Sequence, residues 1–226
     1  MLDKLIDVVA LSKKHCDKSI LCELKYATRE NFLGRVVNGY VEEAQDVGLL
    51  TKEAAKKLCE AQNYFVQHHK MRIKIFDSLR PLRAVKDFTV WMNELPQSGY
   101  ELQRKKLHYP HIQKHQLSEL GYVMSNVSRH CFGNVVDMSL VRLEDESELN
   151  MGAIFDYFDD ISHASATVDQ IGREAVENRE LFFKGMEKFG FMVYAKEFWH
   201  FDHVTREVDE PIDLEISAEL RGLNAA

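Results

Sequence analysis

The stretch RIKIFDS, Arg72 to Ser78, alternates polar and apolar side chains and predicts a β-strand with one face toward the core. Before this stretch, apolar residues recur at helical spacing from about 51 to 70, which predicts an amphipathic helix with Thr51 as a possible N-cap. After it, the pair Arg80-Pro81 separates the strand from a second helical stretch, about Ala84 to Leu95. Arg80 is therefore expected at a strand-to-helix turn.

The rest of the chain mixes helical and strand patterns without a regular βαβ alternation. A long apolar stripe from Val168 to Phe189 indicates a helix, and Gly190 fits the left-handed position that closes one. The segment FMVY at 191–194 is predicted to be a strand, whereas 96–115 has no clean period and is predicted to be a loop or short helix, with room for a lid. We therefore expect a single α+β domain over residues 1–226, with a mainly antiparallel sheet and flanking helices.

Composition excludes several classes of protein. A chain of 226 residues with a 45% hydrophobic share can bury a sizeable core in one domain. The net charge of -7 argues against a nucleic-acid partner, because such proteins concentrate Lys and Arg on one face. The cysteines have no C-x-x-C pair, so neither a disulfide framework nor a cysteine zinc finger is indicated; they are Cys16, Cys22, Cys59 and Cys131.

The first residues, MLDKLIDVVALSKK, do not have the pattern of a secretory signal. Asp3 and Asp7 interrupt the apolar stretch, and no small-residue cleavage site follows it. No segment approaches the length of a membrane span, so no membrane partner is expected. The expectation is a cytoplasmic protein, or a periplasmic one if the chain is a trimmed mature form.

Two short segments concentrate side chains that can bind a metal: SRHCFGNVVD, Ser128 to Asp137, and EFWH, Glu197 to His200. A catalytic zinc site needs neutral imidazoles, a carboxylate and one open position, which His130, Asp137 and His200 can provide. A second carboxylate must take a proton, and Glu197 is three residues from His200. We therefore predict a zinc site at the sheet with Glu197 as general base.

This prediction requires irregular backbone in both segments. Residues three apart on a regular strand face opposite sides, so a bulge, a strand end or a helical turn must lie within EFWH. The odd separation of His130 and Asp137 likewise requires a break, and Gly133-Asn134 is a plausible turn.

Other candidate ligands remain. A second cluster has ligand-like spacing but lies in a Pro-containing segment without an adjacent carboxylate; it comprises His108, His111 and His115. Cys131 could ligate a soft metal, although a buried thiol explains it more simply. Spacing assigns no role to His163 or His203.

Several short sequence segments, spread over most of the chain, are specific in their order and spacing taken together. They are LKYATRENFLG at 24–34, DSLRPLRAV at 77–85, GYV at 121–123, SRHCFGNVVD at 128–137, MGAIFD at 151–156, SH at 162–163, NR at 178–179 and GFMVYAKEFWH at 190–200. Together they resemble the D-alanyl-D-alanine dipeptidases of the VanX type, within a wider group of zinc peptidases that includes D,D-carboxypeptidases.

The resemblance implies a role for each matching residue. His130, Asp137 and His200 match the ligands of one zinc ion, and Glu197 and Arg80 match the general base and the arginine that steadies the transition state. Zinc-bound water would attack the peptide carbonyl of a small dipeptide, with the oxyanion shared by zinc and arginine. The matching substrate-binding residues are Tyr26 and Asp156, for the ammonium end, and Ser128, for the carboxylate end.

Several questions stay open at this stage. Asn134, Val135, Val136 and Phe198 depart from the family pattern, so the strictness of D-Ala-D-Ala specificity is open. The alternatives are a D,D-carboxypeptidase or L,D-peptidase acting on peptidoglycan stem peptides, and a zinc-binding module without catalysis. Antibiotic resistance and D-alanine salvage both need the same reaction, and the native metal and the oligomeric state are also undetermined.

Overall fold

The computed structural model describes residues 2–95 and 98–225. Its strands are β1 (Leu5–Asp7), β2 (Leu21–Cys22), β3 (Leu49–Thr51), β4 (Met71–Asp77), β5 (Val135–Arg142), β6 (Phe191–Tyr194) and β7 (Glu197–His203). The main sheet has the order β2-β4-β5-β7-β6, in which β2 pairs parallel with β4 and the other pairs are antiparallel. Strands β1 and β3 form a separate antiparallel pair. The expected mainly antiparallel α+β fold is confirmed.

The helices are α1 (Val8–His15), α2 (Lys52–His69), α3 (Leu82–Asn93), α4 (Gly99–His108), α5 (Val168–Ile171) and α6 (Arg173–Glu187). Helices α2 and α3 confirm the two predicted helices around the strand β4. Thr51 does precede α2, but its buried hydroxyl has no hydrogen-bond partner among the described residues. The segment predicted to be a loop or short helix contains α4; Pro96 and Gln97 lie outside the described residues.

The apolar stripe near the C-terminus forms two helices. Gly172 has φ 83°, which favours glycine, and this residue ends α5 and begins α6. Ala175 and Phe182 are buried on α6, whereas Val168 on α5 is exposed. Gly190 is left-handed, with φ 81°, although α6 already ends at Glu187. The residue spacing predicted the buried face of α6 correctly, but it did not predict the break at Gly172 or the exposure of Val168.

The central strands β5 and β7 are buried, so the side chains that they carry lie inside the protein. Seven of the eight β5 residues, Val135 to Val141, are buried, so both faces of this strand are covered. On one face, Phe182 of α6 contacts Phe201 of β7 with ring centroids 4.7 Å apart. None of the helices in residues 2–95 and 98–225 combines the length and apolar character that crossing a membrane requires.

Helices α2 and α6 pack so closely that a single methyl group should disturb them. A Cβ on Gly185 would lie 2.5 Å from Cζ of the fully buried Phe65. We expect Gly185→Ala to lower the free energy of unfolding, because overpacking costs about 1–3 kcal/mol and alanine gains only about 0.5–1 kcal/mol in a helix. Denaturant unfolding measures the difference. Gly99→Ala is the control, since its Cβ would meet nothing within 4 Å; a more stable Gly185→Ala protein would contradict this packing.

Candidate metal centre and active site

The three predicted metal ligands come together at the centre of the sheet. Asp137 of β5 is the register partner of His200 of β7, and His130 lies on the 3-10 helix Arg129–Phe132 just before β5. His130 Nε2 lies 3.2 Å from both His200 Nδ1 and Asp137 Oδ1, and the latter two atoms are 3.1 Å apart. All three residues are buried. The ligand atoms therefore form a nearly equilateral triangle.

This triangle fits a zinc ion. Bonds of about 2.0–2.2 Å in a tetrahedron place ligand atoms roughly 3.3 Å apart, close to the observed separations. Asp137 Oδ1 is buried and makes no hydrogen bond to the described residues, although two imidazole nitrogens adjoin it. Burial lowers the pKa of His200, which favours the neutral, metal-binding form. A cation would satisfy all three atoms at once.

Outside the triangle, a hydrogen bond orients the imidazole of His130, and a carboxylate lies near the imidazole of His200. His130 Nδ1 donates to the carbonyl oxygen of Ser78 at 2.8 Å, so its Nε2 lone pair faces the triangle. His200 directs Nε2 toward Asp202 Oδ2 at 3.7 Å, and Arg129 binds the same carboxylate oxygen at 2.5 Å. Gly133, with φ 71°, ends the 3-10 helix and confirms the break expected between His130 and Asp137.

Strand β7 is irregular where the sequence required it. Val193 pairs with Phe201, but the next residue, Tyr194, pairs with Glu197, so β7 contains three more residues than β6 here. This bulge brings Glu197 to the same side as His200, with Oε2 3.5 Å from His200 Nδ1. Burial, with the negative charge of Asp137, raises the pKa of Glu197 well above its ordinary value. Of the three irregularities that the sequence allowed in EFWH, the structure has a bulge.

Arg80 lies in the turn between β4 and α3, as predicted, and its guanidinium is held on several sides. Nε donates to Asp77 Oδ2 at 2.9 Å, and Nη2 donates to Asp137 Oδ2 at 3.2 Å. These carboxylates lie opposite each other on β4 and β5, so the arginine compensates two like charges. The guanidinium also lies 5.0 Å from the ring centroid of Tyr26. Its hydrogen bonds to the described residues use Nε and Nη2, which leaves Nη1 for a ligand.

Tyr26, Ser128 and Asp156 line one pocket together with Arg80, Glu197 and His200. The Tyr26 hydroxyl donates to Asp156 Oδ2 at 3.0 Å. Burial, with the charge of Asp137, raises the pKa of Asp156 well above its ordinary value. Ser128 caps the 3-10 helix by accepting from His130 N at 3.3 Å. The pocket wall is completed by aromatic side chains, among them Phe32, Phe88, Phe158 and Trp199.

The structure also shows residues to which the sequence gave no role. Asp77 belongs to the DSLRP string and supports Arg80; it also accepts from the Tyr40 hydroxyl at 2.7 Å. Gly121 to Met124, which begins with the GYV string, lines the pocket, whereas no described residue of 96–115 does. The described part of 96–115, where the sequence left room for a lid, therefore does not contribute to this pocket. Tyr194 donates to the carbonyl oxygen of Gly121 at 3.1 Å and holds this segment.

The alternative histidines do not form a metal site. His108 is buried, whereas His111 and His115 are exposed. Among residues 2–95 and 98–225, the only group of three candidate ligands is His130, Asp137 and His200. His163 lies 3.0 Å from the Tyr122 hydroxyl, and His203 accepts a hydrogen bond from the backbone of Thr205 at 3.2 Å. Cys131 is buried and lies outside the triangle.

Comparison with known proteins gives consistent matches over most of the chain. The family model described as D-ala-D-ala dipeptidase matches residues 9–217. A D-alanyl-D-alanine dipeptidase of Enterococcus faecalis is 35% identical over 84% of this chain and 86% of its own. Those of Enterococcus faecium and Streptomyces coelicolor are each 34% identical over 79% of this chain and 83% of their own.

Among solved structures, the vancomycin resistance D,D-pentapeptidase VanY in complex with Zn(II) is similar with a TM-score of 0.41 and 12% identity. The match covers 70% of this chain and 75% of that chain. The family model matches most of the sequence, and the three dipeptidases are 34–35% identical over 79–84% of this chain. The chain therefore belongs to the D-alanyl-D-alanine dipeptidase family of zinc metallopeptidases.

Proposed function

We propose that this enzyme hydrolyses the dipeptide D-alanyl-D-alanine to D-alanine, with one zinc ion per chain and Glu197 as general base. The observation that carries the proposal is the buried triangle of His130, Asp137 and His200 with a carboxylate 3.5 Å from one corner. The names of the three related dipeptidases support the choice of substrate.

Glu197 has the position that a general base needs. When bound, zinc lowers the pKa of water and polarises a carbonyl oxygen. The Glu197 carboxylate lies beside the triangle but outside it, so it can accept a proton from the attacking water. The same carboxyl group then delivers this proton to the amine of the leaving D-alanine, and the new carboxylate remains on the other D-alanine.

Arg80 is suited to stabilise the negative charge that develops on the peptide oxygen. Asp77 and Asp137 fix two of its nitrogens, and its guanidinium carbon lies 5.0 Å from the centroid of the Tyr26 ring. A donor held in place before the reaction needs little reorganisation when charge develops, which is the basis of oxyanion stabilisation. Its remaining nitrogen, Nη1, is the donor that we assign to this role.

The pocket can recognise both ends of a free dipeptide. Asp156 provides a buried anion for the ammonium group, with the Tyr26 hydroxyl beside it. Ser128 provides a hydroxyl for the carboxylate end. The segment Gly121 to Met124 forms part of the pocket wall. Tyr194 donates to the carbonyl oxygen of Gly121, and Lys196 donates to that of the preceding residue, Leu120. We propose that this anchored wall limits the length of the substrate and favours a dipeptide over a stem peptide.

Glu197→Gln should lower kcat for D-Ala-D-Ala by about a hundredfold or more, because the amide cannot accept the proton. Zinc content should stay unchanged, since Glu197 lies outside the ligand triangle. Release of D-alanine from metal-analysed protein is the measurement. Glu187→Gln, the same change at an exposed position at the end of α6, is the matched control.

Hydrolysis of a stem pentapeptide with no hydrolysis of the dipeptide would contradict the proposed substrate.

Arg80→Lys should lower kcat by about a hundredfold or more, because the ammonium group cannot replace the fixed donor Nη1. The retained positive charge still compensates Asp77 and Asp137, so the variant should fold. Steady-state kinetics and thermal unfolding test the two halves of this prediction. Arg83→Lys, which alters a half-exposed arginine paired with Asp213, is the control. A kcat within about threefold of wild type would rule out the oxyanion role.

Removal of one ligand should abolish zinc binding. At free zinc a hundredfold above Kd, binding stabilises a folded protein by about 2.7 kcal/mol, so zinc should raise the melting temperature of the metal-free wild type. His200→Ala should lose both this rise and the zinc measured by metal analysis. His115→Ala changes an exposed histidine and should retain both. Equal zinc content in all three proteins would contradict the assigned ligands.

A further inference from the structure

We propose that His108 is a positioning residue for substrate binding: it holds the backbone of Asp156 in the conformation that presents its carboxylate to the pocket. The inference rests on the proposed role of Asp156 as the partner of the substrate ammonium. His108 lies at the end of α4 and does not line the pocket, so it would act only through Asp156.

Asp156 has a backbone conformation that needs support. Its φ of 59° is in the left-handed region, which is costly for residues other than glycine and recurs at ligand-binding positions. Three other described residues besides glycine have positive φ, and all three are exposed: Lys70, Glu146 and Asn224. Asp156 is only 3% exposed, so water cannot satisfy its backbone.

His108 makes two hydrogen bonds to the backbone of the segment from Asp156 to Phe158. Its Nδ1 lies 3.0 Å from the carbonyl oxygen of Asp156, and its own carbonyl oxygen accepts from Phe158 N at 2.7 Å. Arg104 Nη2 lies 2.8 Å from His108 Nε2. Because a guanidinium can only donate, Nε2 must accept, and the imidazole proton is on Nδ1. His108 therefore donates to Asp156.

Arg104 is itself anchored, which makes the support rigid. Its Nε donates to the carbonyl oxygen of Asn31 at 2.8 Å, and Nη1 pairs with Glu30 at 3.1 Å. Burial and the positive charge of Arg104 lower the pKa of His108 to about 4. The imidazole is neutral near pH 7, as the contact with Arg104 requires.

This chain of contacts leads from the surface to the pocket. Arg104 fixes His108, His108 fixes the backbone of Asp156, and Asp156 accepts from the Tyr26 hydroxyl at 3.0 Å. Loss of the His108 donor leaves a buried carbonyl oxygen unsatisfied and allows the left-handed residue to relax. The carboxylate then moves away from the ammonium position, while Glu197 and Arg80 keep their places.

The test compares His108→Ala with His108→Asn in zinc-loaded enzyme. An asparagine Nδ2 can donate from nearly the position of the imidazole Nδ1. His108→Ala should raise KM for D-Ala-D-Ala about tenfold or more, with kcat within about threefold of wild type, because one buried hydrogen bond corresponds to roughly a factor of ten. His108→Asn should restore KM to within about threefold of wild type. His111→Ala, at an exposed position, should leave both constants unchanged. Equal KM values in the alanine and asparagine variants would overturn the donor role.

Two further measurements separate this inference from the proposed function. Asp156→Asn should also raise KM; if it does not, the proposed role of Asp156 fails. If Asp156→Asn raises KM and His108→Ala does not, only the positioning role fails. A crystal structure of His108→Ala decides the structural step even without dipeptidase activity. Retention of the left-handed φ and of the 3.0 Å contact between Tyr26 and Asp156 would overturn the inference.

Discussion

The pairing of Asp137 with His200 across two buried strands is the constraint on which the rest of the site depends. It places an oxygen and a nitrogen 3.1 Å apart, and His130 adds a second nitrogen at almost the same distance from both. With each imidazole proton on the nitrogen outside the triangle, all three atoms direct a lone pair at the same space. A divalent cation would satisfy them together, so strand pairing places these atoms where a metal site needs them.

Asp137 also connects the metal site to the residue proposed for oxyanion binding. Its Oδ1 belongs to the triangle, and its Oδ2 accepts from Arg80. Asp77 binds the other side of the guanidinium and lies 3.7 Å from His130 Nδ1. A shift of Asp137 would therefore move both the metal site and the arginine. This arrangement explains why the site is built on central strands, whose positions packing fixes from both faces.

The charge balance of the pocket favours positively charged ligands. Asp137, Asp156 and Glu197 are buried carboxylates, and among the described residues Arg80 is the one buried cation that lines the pocket with them. Burial, with the negative charge of Asp137, raises the pKa of Asp156 and of Glu197, so a nearby positive charge would stabilise their ionised forms. A zinc ion and a substrate ammonium group would supply that charge.

The sequence alone predicted the helices α2 and α3, the strand β4 and the three candidate ligands that cluster, because each depends on local periodicity or on residue chemistry. It also required a bulge, a strand end or a helical turn in EFWH, without choosing among them. Tertiary structure decided which strands pair, that Gly121 to Met124 lines the pocket, and that His108 contacts the backbone of Asp156. These contacts join residues far apart in the chain, and local spacing carries no information about which distant segments meet when strands pair and side chains pack.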